Sequence, residues 1–382
     1  YCMPHWPGQI PENWRRLFFG ALGHGMQIVN LFEFRPVHAA YTENHCSNPE
    51  TYRTILRSFR ELGQFEDIIQ SGRKRPAKAA LWFSETADIW GDNDGSFTAG
   101  KRTLYSAIIH QGTPLDFVVE AGNLKNYRVL FLADAHVSRR DSEAIGAWVK
   151  AGGTLFATAG AGMFDELNRP NILLRGMLGV THVGLDAPAS SFVGMVKQEL
   201  PFAVPVDEIA GESDSTPVYG VRSRVKLAGA KVQLKFKSGS PALTLHTQGR
   251  GQAHYAAFLP GLTYFAPGTP KVPVDRGTTA QASAHLIPTR FDTRIAKLLQ
   301  FANAANPVKC SEPLVEANII DSSKGNVVIL SNWSGGGVKA LEVSLPPDLA
   351  KKKITVASGA AFKNDGNKVT LDLNVADALI LR

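Results

Sequence analysis

The first clear pattern along the chain is a run of apolar residues at helical spacing: Trp14, Leu17, Phe18, Ala21 and Leu22. Pro11 suits the first turn of a helix, and Gly23 and Gly25 suit its end. This spacing predicts a helix that buries one face. The segment MQIVNLF at 26–32 follows at once, and its continuous apolar character is typical of a buried parallel strand.

A second helical pattern runs from about Pro49 to Ile69. Its apolar face consists of Tyr52, Ile55, Leu56, Phe59 and Leu62, and Ser47 or Asn48 suits the N-cap. The predicted elements follow in the order helix, short loop, buried strand, long loop and helix. The order predicts an α/β repeat for residues 1–76.

From Ala79 onward, short apolar segments alternate with helical ones. The predicted strands are AALWFS, LDFVV, YRVLFLAD and GTLFATA. Helices are predicted at 100–111 and after Ser138, a suitable N-cap. Strands that alternate with helices predict an open parallel sheet.

The rest of this region is less regular. Residues 172–225 are rich in proline, serine and glycine, and they are predicted to form an irregular excursion. Strands are then predicted at KVQLKF, at GLTYFA and on both sides of the GRG turn at 249–251. A helix at 290–305 is predicted to complete a domain that spans 77–305.

The last part of the chain changes character again. Its predicted strands are NVVILSNWS, KALEVSLP, KKITVAS, KVTLDLN and DALILR, separated by glycine and asparagine turns. Short strands at this close spacing predict a small antiparallel β-sandwich over 306–382. No polar constellation in these strands calls for chemistry, so a packing role is expected.

Composition is globular, with 382 residues of which 44% are hydrophobic. The 41 Lys and Arg residues exceed the 34 Asp and Glu residues. They are scattered, however, so no nucleic-acid partner is expected, and the basic run at 72–78 is interpreted as a solvated linker. No apolar run reaches the length of a membrane span, and the first residues lack a basic-then-apolar signal pattern. No membrane partner is therefore expected, and the compartment stays open.

The three cysteines, Cys2, Cys46 and Cys310, lie far apart without CxxC spacing, which excludes a zinc knuckle or a redox motif. A single disulfide is compatible with the sequence but is not demanded by it. The Gly-Ala-Gly at 160–162 lacks the spacing of a phosphate-binding loop and is interpreted as a tight turn. No metal site and no cofactor are therefore expected.

Candidate chemistry stands at the carboxyl end of the predicted strand 26–32. Glu33 and Arg35 occur two residues apart there, so their side chains point to the same side. In α/β folds with parallel strands this end forms the active face. Glu33 and Arg35 therefore form either a structural ion pair or, as the preferred interpretation, a pair that faces a ligand.

Residues 1–70 also resemble the last part of the catalytic barrel of family 42 β-galactosidases. The resemblance is carried by WPGQIPENWRRLFFGALGHGMQIVNLFEFRP, which is similar to the family's Pro-Gly, its helix, its turn and its final aromatic-rich barrel strand. KAGGTLFATAGAGMFDELNRPN at 150–171 is similar to the Gly-Gly-Thr strand and acidic-Asn loop of the family's trimerisation domain.

The resemblance implies an α/β fold in three parts: the end of a (β/α)8 barrel at 1–76, a flavodoxin- or amidotransferase-like open parallel sheet at 77–305, and an antiparallel β-sandwich at 306–382. It also implies a homo-oligomer, with a trimer as one option. Amidotransferases carry a nucleophilic cysteine at a strand-to-helix turn, and the turns at 132–138 and 157–166 contain none. Glutaminase activity is therefore not expected.

The activity that the resemblance implies is hydrolysis of O-glycosidic bonds by a retaining pair of glutamates about 5 Å apart. Neither glutamate has a match here, because residues 1–8 contain no carboxylate and Glu33 falls on the eighth barrel strand. The pair is therefore expected upstream of this chain or on another chain. The residues expected to line a sugar subsite are Glu33, Arg35, Trp6 and His5.

Two other functions remain open beside the hydrolase. One is a non-catalytic carbohydrate-binding or assembly protein that is built from the same domains. The other is a degenerate amidotransferase-like ligand binder, which needs a polar pocket at the carboxyl ends of the parallel sheet. Its candidate residues are Asp134, His136, Asp165 and Glu166.

Overall fold

The computed structural model describes residues 11–31, 49–91, 96–187, 197–198, 204–211, 214–268, 274–275 and 290–382. Its α-helices are α1 (Pro11–Gly23), α2 (Pro49–Leu62), α3 (Glu66–Ser71), α4 (Glu85–Trp90), α5 (Ser96–Ile109), α6 (Arg139–Lys150), α7 (Ile172–Leu178), α8 (Pro260–Phe265), α9 (Thr293–Leu298) and α10 (Pro347–Ala350). Its strands are β1 (Arg73–Lys74), β2 (Ala79–Trp82), β3 (Leu115–Val118), β4 (Val129–Leu132), β5 (Thr154–Ala157), β6 (Val180–Asp186), β7 (Lys197–Gln198), β8 (Asp207–Ile209), β9 (Thr216–Val218), β10 (Arg222–Leu227), β11 (Lys231–Lys235), β12 (Pro241–Gln248), β13 (Gly251–Ala256), β14 (Val274–Asp275), β15 (Lys309–Cys310), β16 (Val315–Ser322), β17 (Gly325–Asn332), β18 (Val338–Ser344), β19 (Ile354–Val356), β20 (Phe362–Asp365), β21 (Lys368–Leu373) and β22 (Ala376–Leu381).

The chain divides into two compact units. Tyr1–Pro76, Val274–Thr289 and Asn306–Arg382 form the first unit, and Ala77–Pro273 and Arg290–Ala305 form the second. The predicted division into 1–76, 77–305 and 306–382 stays a prediction, and the compact units group its first and third parts.

The second unit is built on a seven-stranded sheet with the order β11-β12-β13-β5-β4-β2-β3. The strands from β13 to β3 run parallel, and β12 and β11 are added antiparallel at one side. Strands β2, β4 and β5 are continuously apolar because helices cover both faces of a parallel sheet. The predicted open parallel sheet is confirmed.

Helices of the second unit follow the sequence signals in part. The side chain of Ser138 accepts a hydrogen bond from the Asp141 amide and caps α6, as predicted. The predicted helix at 290–305 is shorter, with α9 followed by a 3-10 turn at Ala302–Ala304. The predicted strand GLTYFA is wrong, because Pro260 begins the helix α8 there.

The prediction of an irregular excursion at 172–225 is also wrong for the described residues. Helix α7 begins after Asn171, whose side chain accepts a hydrogen bond from the Leu174 amide. It ends at Gly179, which has a φ of 64°. Strands β6 and β10 then pair antiparallel, and so do β8 and β9.

The first unit contains two antiparallel sheets, with the orders β1-β16-β17-β22-β19 and β15-β18-β21-β20. A core of alternate residues joins them, including Leu330 and Leu379 from one sheet and Leu341 and Leu371 from the other. The predicted antiparallel sandwich is confirmed.

The opposite face of the five-stranded sheet is covered by α1 and α3. Trp14 and Phe18 stack with ring centroids 5.0 Å apart, and they pack with Ile329 and Ile380 in a second core. Strand β17 is buried on both faces for this reason, in agreement with the apolar residues Val327–Leu330 at its centre.

The predicted buried strand at 26–32 is wrong for the described residues 26–31. They form no regular strand, with only an isolated bridge at Leu31, and the side chain of Ile28 is 86% exposed. A buried parallel strand needs a ladder partner on each side, and none of the described strands pairs with this segment. The helix predicted from Pro49 to Ile69 is divided into α2 and α3.

Candidate functional site at the carboxyl edge of the parallel sheet

The predicted site residues fall into two groups. His5, Trp6, Glu33 and Arg35 lie outside the described residues, so their role as a sugar subsite stays a prediction. The second group, Asp134, His136, Asp165 and Glu166, is described. All four follow strands of the parallel sheet at its carboxyl edge.

The strand order creates a crevice at this edge. Strand β2 lies between β3 and β4 in the sheet. The chain continues from β2 to β3 on one side and then crosses over to β4 on the other side. Ligands of doubly wound sheets bind where the strand order reverses in this way. Here Ser84, which follows β2, donates its backbone N–H to Oδ2 of Asp134, which follows β4, at 2.9 Å.

Asp134 is buried, with 4% of its surface exposed. Its Oδ1 forms an ion pair with Lys101 of α5, whose Nζ lies 4.7 Å from the centre of the Phe83 ring. Burial raises the pKa of Asp134, although the Lys101 ammonium and the Ser84 amide oppose this shift. Both carboxylate oxygens are thus occupied by groups of the protein itself.

His136 contacts both α4 and the loop after β5. Its ring stacks on Trp90 and on Phe164, with centroids 5.5 and 5.1 Å away. Its Nε2 lies 2.9 Å from Oδ1 of Asn168, and because that oxygen can only accept, Nε2 is assigned as the donor. The imidazole therefore acts as a spacer between α4 and the loop after β5.

Asp165 holds the loop 165–169 in place. Its Oδ1 accepts hydrogen bonds from the amides of Leu167 and Arg169, both at 2.9 Å, and its Oδ2 pairs with the guanidinium of Arg139 at 2.8 Å. Burial would raise the pKa of Asp165, but the Arg169 amide and Arg139 outweigh it and lower the pKa. Glu166 accepts the Arg139 backbone N–H at 2.8 Å.

The four described candidates are therefore brought to one edge but do not converge on an open pocket. Asp134 belongs to the network with Lys101 and Ser84, and the other three fix loops around Arg139 and Trp90. This arrangement supports the shape of the edge rather than acid or base chemistry, since Asp134 and Asp165 are each held by several donors and Glu166 by the Arg139 amide.

Sequence reasoning missed a buried polar network beside the turn at 157–166. The hydroxyl of Tyr255 donates to Oγ of Ser223 at 2.7 Å, and the Gly160 amide donates to Oγ of Ser223 at 2.9 Å. Nδ1 of His182 lies 3.4 Å from the Tyr255 hydroxyl, and burial lowers the pKa of His182 to about 4. The alternation of QAHYA, which turns Tyr255 to the same face as Ala253, was the available signal.

The first unit contains a polar cavity of about 300 Å³ between α1, α2 and the loop before β22. Arg15 lies at its wall, 2.7 Å from Oε2 of Glu61, and donates to the Ala376 carbonyl at 2.8 Å. Asp377 accepts a hydrogen bond from the Ser358 hydroxyl. The cavity is therefore lined by polar groups that already have partners within the protein.

In the described part of the chain, no cluster of three or more His, Cys, Asp or Glu side chains has the arrangement needed to hold a metal ion. Among the same residues, no helix combines the length and apolar character that crossing a membrane requires.

The second unit is similar to a known domain family. Residues 79–266 match the model of the beta-galactosidase trimerisation domain. The chain is similar to the C-terminal portion of glycoside hydrolase family 42 enzymes. This confirms the family resemblance of the sequence, and the mixed α/β layout with a parallel-rich sheet and antiparallel sheets agrees with it.

Curated relatives of this family 42-like portion are named beta-galactosidases. LacZ of Heyndrickxia coagulans is 22% identical over 275 residues, which cover 68% of this chain and 40% of that protein. Pbg of Clostridium perfringens is 24% identical over 269 residues, which cover 62% of this chain and 37% of that protein. The chain thus matches well under half the length of these relatives.

Solved structures with the same fold cover nearly the whole chain. Gan42B, a family 42 beta-galactosidase from G. stearothermophilus, superposes with a TM-score of 0.66 at 15% identity and covers 97% of this chain and 51% of that one. The beta-galactosidase of Bacillus circulans sp. alkalophilus gives a TM-score of 0.64 at 16% identity, with 98% and 52% covered. The likeness extends across both compact units.

Proposed function

We propose that this chain is part of a retaining glycoside hydrolase of β-galactosidase type, which hydrolyses O-glycosidic bonds. The observation that carries the proposal is the alignment of its curated relatives, all named beta-galactosidases, over 62–68% of this chain. The substrate class is a carbohydrate with a terminal galactoside or a related sugar.

In this proposal α1 and α2 are outer helices of the catalytic barrel, held against the five-stranded sheet of the sandwich. Retaining chemistry needs an acid/base glutamate and a nucleophilic glutamate about 5 Å apart. The described residues offer no such open pair among their buried carboxylates. Internal donors hold all of them: Glu61, Asp134, Asp165, Glu316 and Asp377. The pair is assigned to barrel strands that these residues do not form.

The sugar subsite is proposed to include Glu33, Arg35, Trp6 and His5. A carboxylate accepts hydrogen bonds from sugar hydroxyls, and an indole ring offers an apolar face for stacking. Support for these roles comes from the resemblance of residues 6–36 to the family's barrel motif, in which this segment borders the active face.

The second unit is proposed to assemble copies of the protein. Its support is the match of residues 79–266 to a domain described by its role in trimerisation. The degenerate amidotransferase-like binder has no comparable support, because its candidate carboxylates are already paired within the protein.

The experiment that tests the function begins with the protein from its native source. Its intact mass and N-terminal sequence are measured, and the same sample is assayed with an aryl β-galactoside, with NMR of the first-formed sugar anomer. Hydrolysis with retention supports the proposal. A purified native protein that binds galactosides without hydrolysing them would overturn the proposal in favour of the carbohydrate-binding alternative.

A further inference from the structure

Helix α4 is unusual because none of its residues is buried. Helices in folded proteins draw most of their stability from packing one apolar face. Here the helix is held at its ends, by the Ser84 side chain that accepts from the Ala87 amide and by Gly91 with a φ of 75°, and by the stacking of Trp90 on His136. The structure thus maintains a short helix on which Ile89 is largely exposed and Trp90 is partly exposed.

Exposed apolar side chains occur both on α4 and on the neighbouring loop after β5. Ile89 is 83% exposed, Trp90 46% and Leu167 54%. The indole Nε1 of Trp90 donates to the Glu166 carbonyl at 3.2 Å, which places α4 directly beside Leu167. We define Ile89, Trp90 and Leu167, with the His136 ring beneath Trp90, as the Trp90 surface.

The loop that carries Leu167 is rigid. Asp165 binds the amides of Leu167 and Arg169, and Asn168 adopts a φ of 57°, a left-handed conformation that asparagine tolerates. His136 holds the Asn168 side chain at 2.9 Å. A buried carboxylate and a histidine thus fix the loop that exposes Leu167 to water.

Charges of both signs flank the apolar surface. Glu85 and Asp88 are exposed on α4, whereas Arg140, Glu166 and Arg169 are exposed on the side of the loop, where Arg140 pairs with Asp141 at 3.4 Å. A partner that carries the same surface can pair its Glu85 or Asp88 with Arg169 of this surface, an ion pair that a neutral sugar cannot form. Exposed Ile89 and Leu167 likewise fit an apolar protein surface better than a sugar.

We infer that the Trp90 surface is the docking site for a second copy of this chain. The inference rests on the proposed role of the second unit in self-association, and it adds the residues that make the contact. Trp90 is its central anchor, since large aromatic side chains at the centre of an interface carry most of the binding energy. Ile89 and Leu167 exclude water around it.

The test compares the dissociation constant for self-association of three proteins by sedimentation velocity over a range of concentrations. The first is the full chain and the second is its Ile89→Glu/Leu167→Glu variant. The third is a matched control, Val183→Glu/Leu227→Glu, which adds the same charge at two residues that are 50% and 48% exposed in the same unit. Thermal unfolding shows whether each variant is folded. If Ile89→Glu/Leu167→Glu is not folded, Ile89→Ser/Leu167→Ser is used in its place.

We expect the dissociation constant to rise at least about tenfold for Ile89→Glu/Leu167→Glu and to stay unchanged for the control. In the wild type, hydrogen exchange of amides 85–91 and 166–169 should slow as the concentration rises. A wild-type chain that stays monomeric at every concentration overturns self-association itself. The wild type could also form an oligomer whose dissociation constant rises equally in both double variants, or in neither. That result would overturn the assignment of the contact to the Trp90 surface but not self-association.

Discussion

The Nε2 atom of His24 lies 2.6 Å from Oε1 of Glu316, a buried carboxylate on β16. His24 directly follows α1, so this contact ties the end of the helix to the five-stranded sheet. Asn318 donates to the same oxygen at 2.7 Å, and the Trp333 indole donates to the other at 3.2 Å. Burial would raise the pKa of Glu316, but His24 and these donors outweigh it and lower the pKa.

The lowered pKa gives Glu316 a defined effect on stability. Ionised Glu316 stabilises the fold above the unfolded-state pKa of about 4.3, and this stabilisation is lost as the pH falls through the lower folded-state pKa. We expect Glu316→Gln to reduce the free energy of unfolding by about 2 kcal/mol at pH 7. The difference from wild type should shrink below about pH 4.

Urea unfolding of both proteins between pH 3 and pH 7, followed by tryptophan fluorescence, measures this difference. The control is Glu342→Gln on β18, whose carboxylate pairs with Lys368 at the surface and should change stability by less than about 0.5 kcal/mol. A Glu316→Gln penalty that is the same at every pH would contradict the role of the ionised carboxylate.

The ion pair between Lys101 and Asp134 leads to a second prediction. Removing one partner of a buried pair leaves an uncompensated charge, so Lys101→Met should destabilise the protein by about 3 kcal/mol at pH 7. Asp134 would then be neutralised more readily, and because its pKa is already raised by burial, the penalty should decrease as the pH falls.

The double variant Lys101→Met/Asp134→Asn serves as the control in the same unfolding measurement. It removes both charges and keeps an acceptor for the Ser84 amide, so it should recover most of the lost stability. Equal destabilisation of the single and double variants would show that Lys101 acts through packing on Phe83 instead of through its charge.

The pattern of apolar residues predicted which elements form the layers of each unit. It did not predict which side of each helix is covered by the neighbouring sheet. Helical spacing placed Leu17 and Phe18 together on the inner face of α1, yet Phe18 is fully buried and Leu17 is 48% exposed. Adjacent helical residues point about 100° apart, and the position of the five-stranded sheet decides which of them is covered. That position depends on residues some three hundred places further along the chain.

Other misses have the same physical origin. The apolar pattern of 26–31 states only that the segment favours a sheet, whereas a strand also requires neighbouring strands. At the carboxyl edge, the sequence placed Asp134 and Asp165 correctly at the ends of strands. Their partners Lys101 and Arg139 come from helices, and nothing local identifies them. Helix α7 is a different case, because its sequence carries ordinary cap signals in Asn171 and Gly179. The prediction gave more weight to the proline, serine and glycine content of 172–225 than to these caps.

The proposed sugar subsite gives a third prediction, made for a complete and active enzyme that contains this chain. Glu33→Gln keeps the shape of the side chain but weakens its hydrogen bonds to sugar hydroxyls. We expect kcat/KM for an aryl β-galactoside to fall about tenfold or more, with an unchanged thermal unfolding midpoint. The control is Glu143→Gln, an exposed position on α6. Kinetics of Glu33→Gln equal to wild type would remove Glu33 from the subsite.

Cys310 gives the last prediction. It lies on β15 as a free thiol, and burial raises its pKa to about 12. Because the thiolate is the reactive form, the raised pKa leaves Cys310 almost entirely protonated near neutral pH. In a Cys2→Ser/Cys46→Ser variant, the folded protein should therefore react with an aromatic disulfide reagent at pH 8 far more slowly than glutathione does.

The same sample in urea should react completely at the rate of an ordinary thiol, which shows that Cys310 is present and reduced. Raising the pH to 10 should accelerate the reaction of the folded protein by about tenfold per pH unit, because the thiolate population still grows in that range. A fast reaction at pH 8 that does not depend on pH would mean that β15 separates from β18 often enough to expose Cys310, since the reaction would then report opening of the strand pair instead of ionisation.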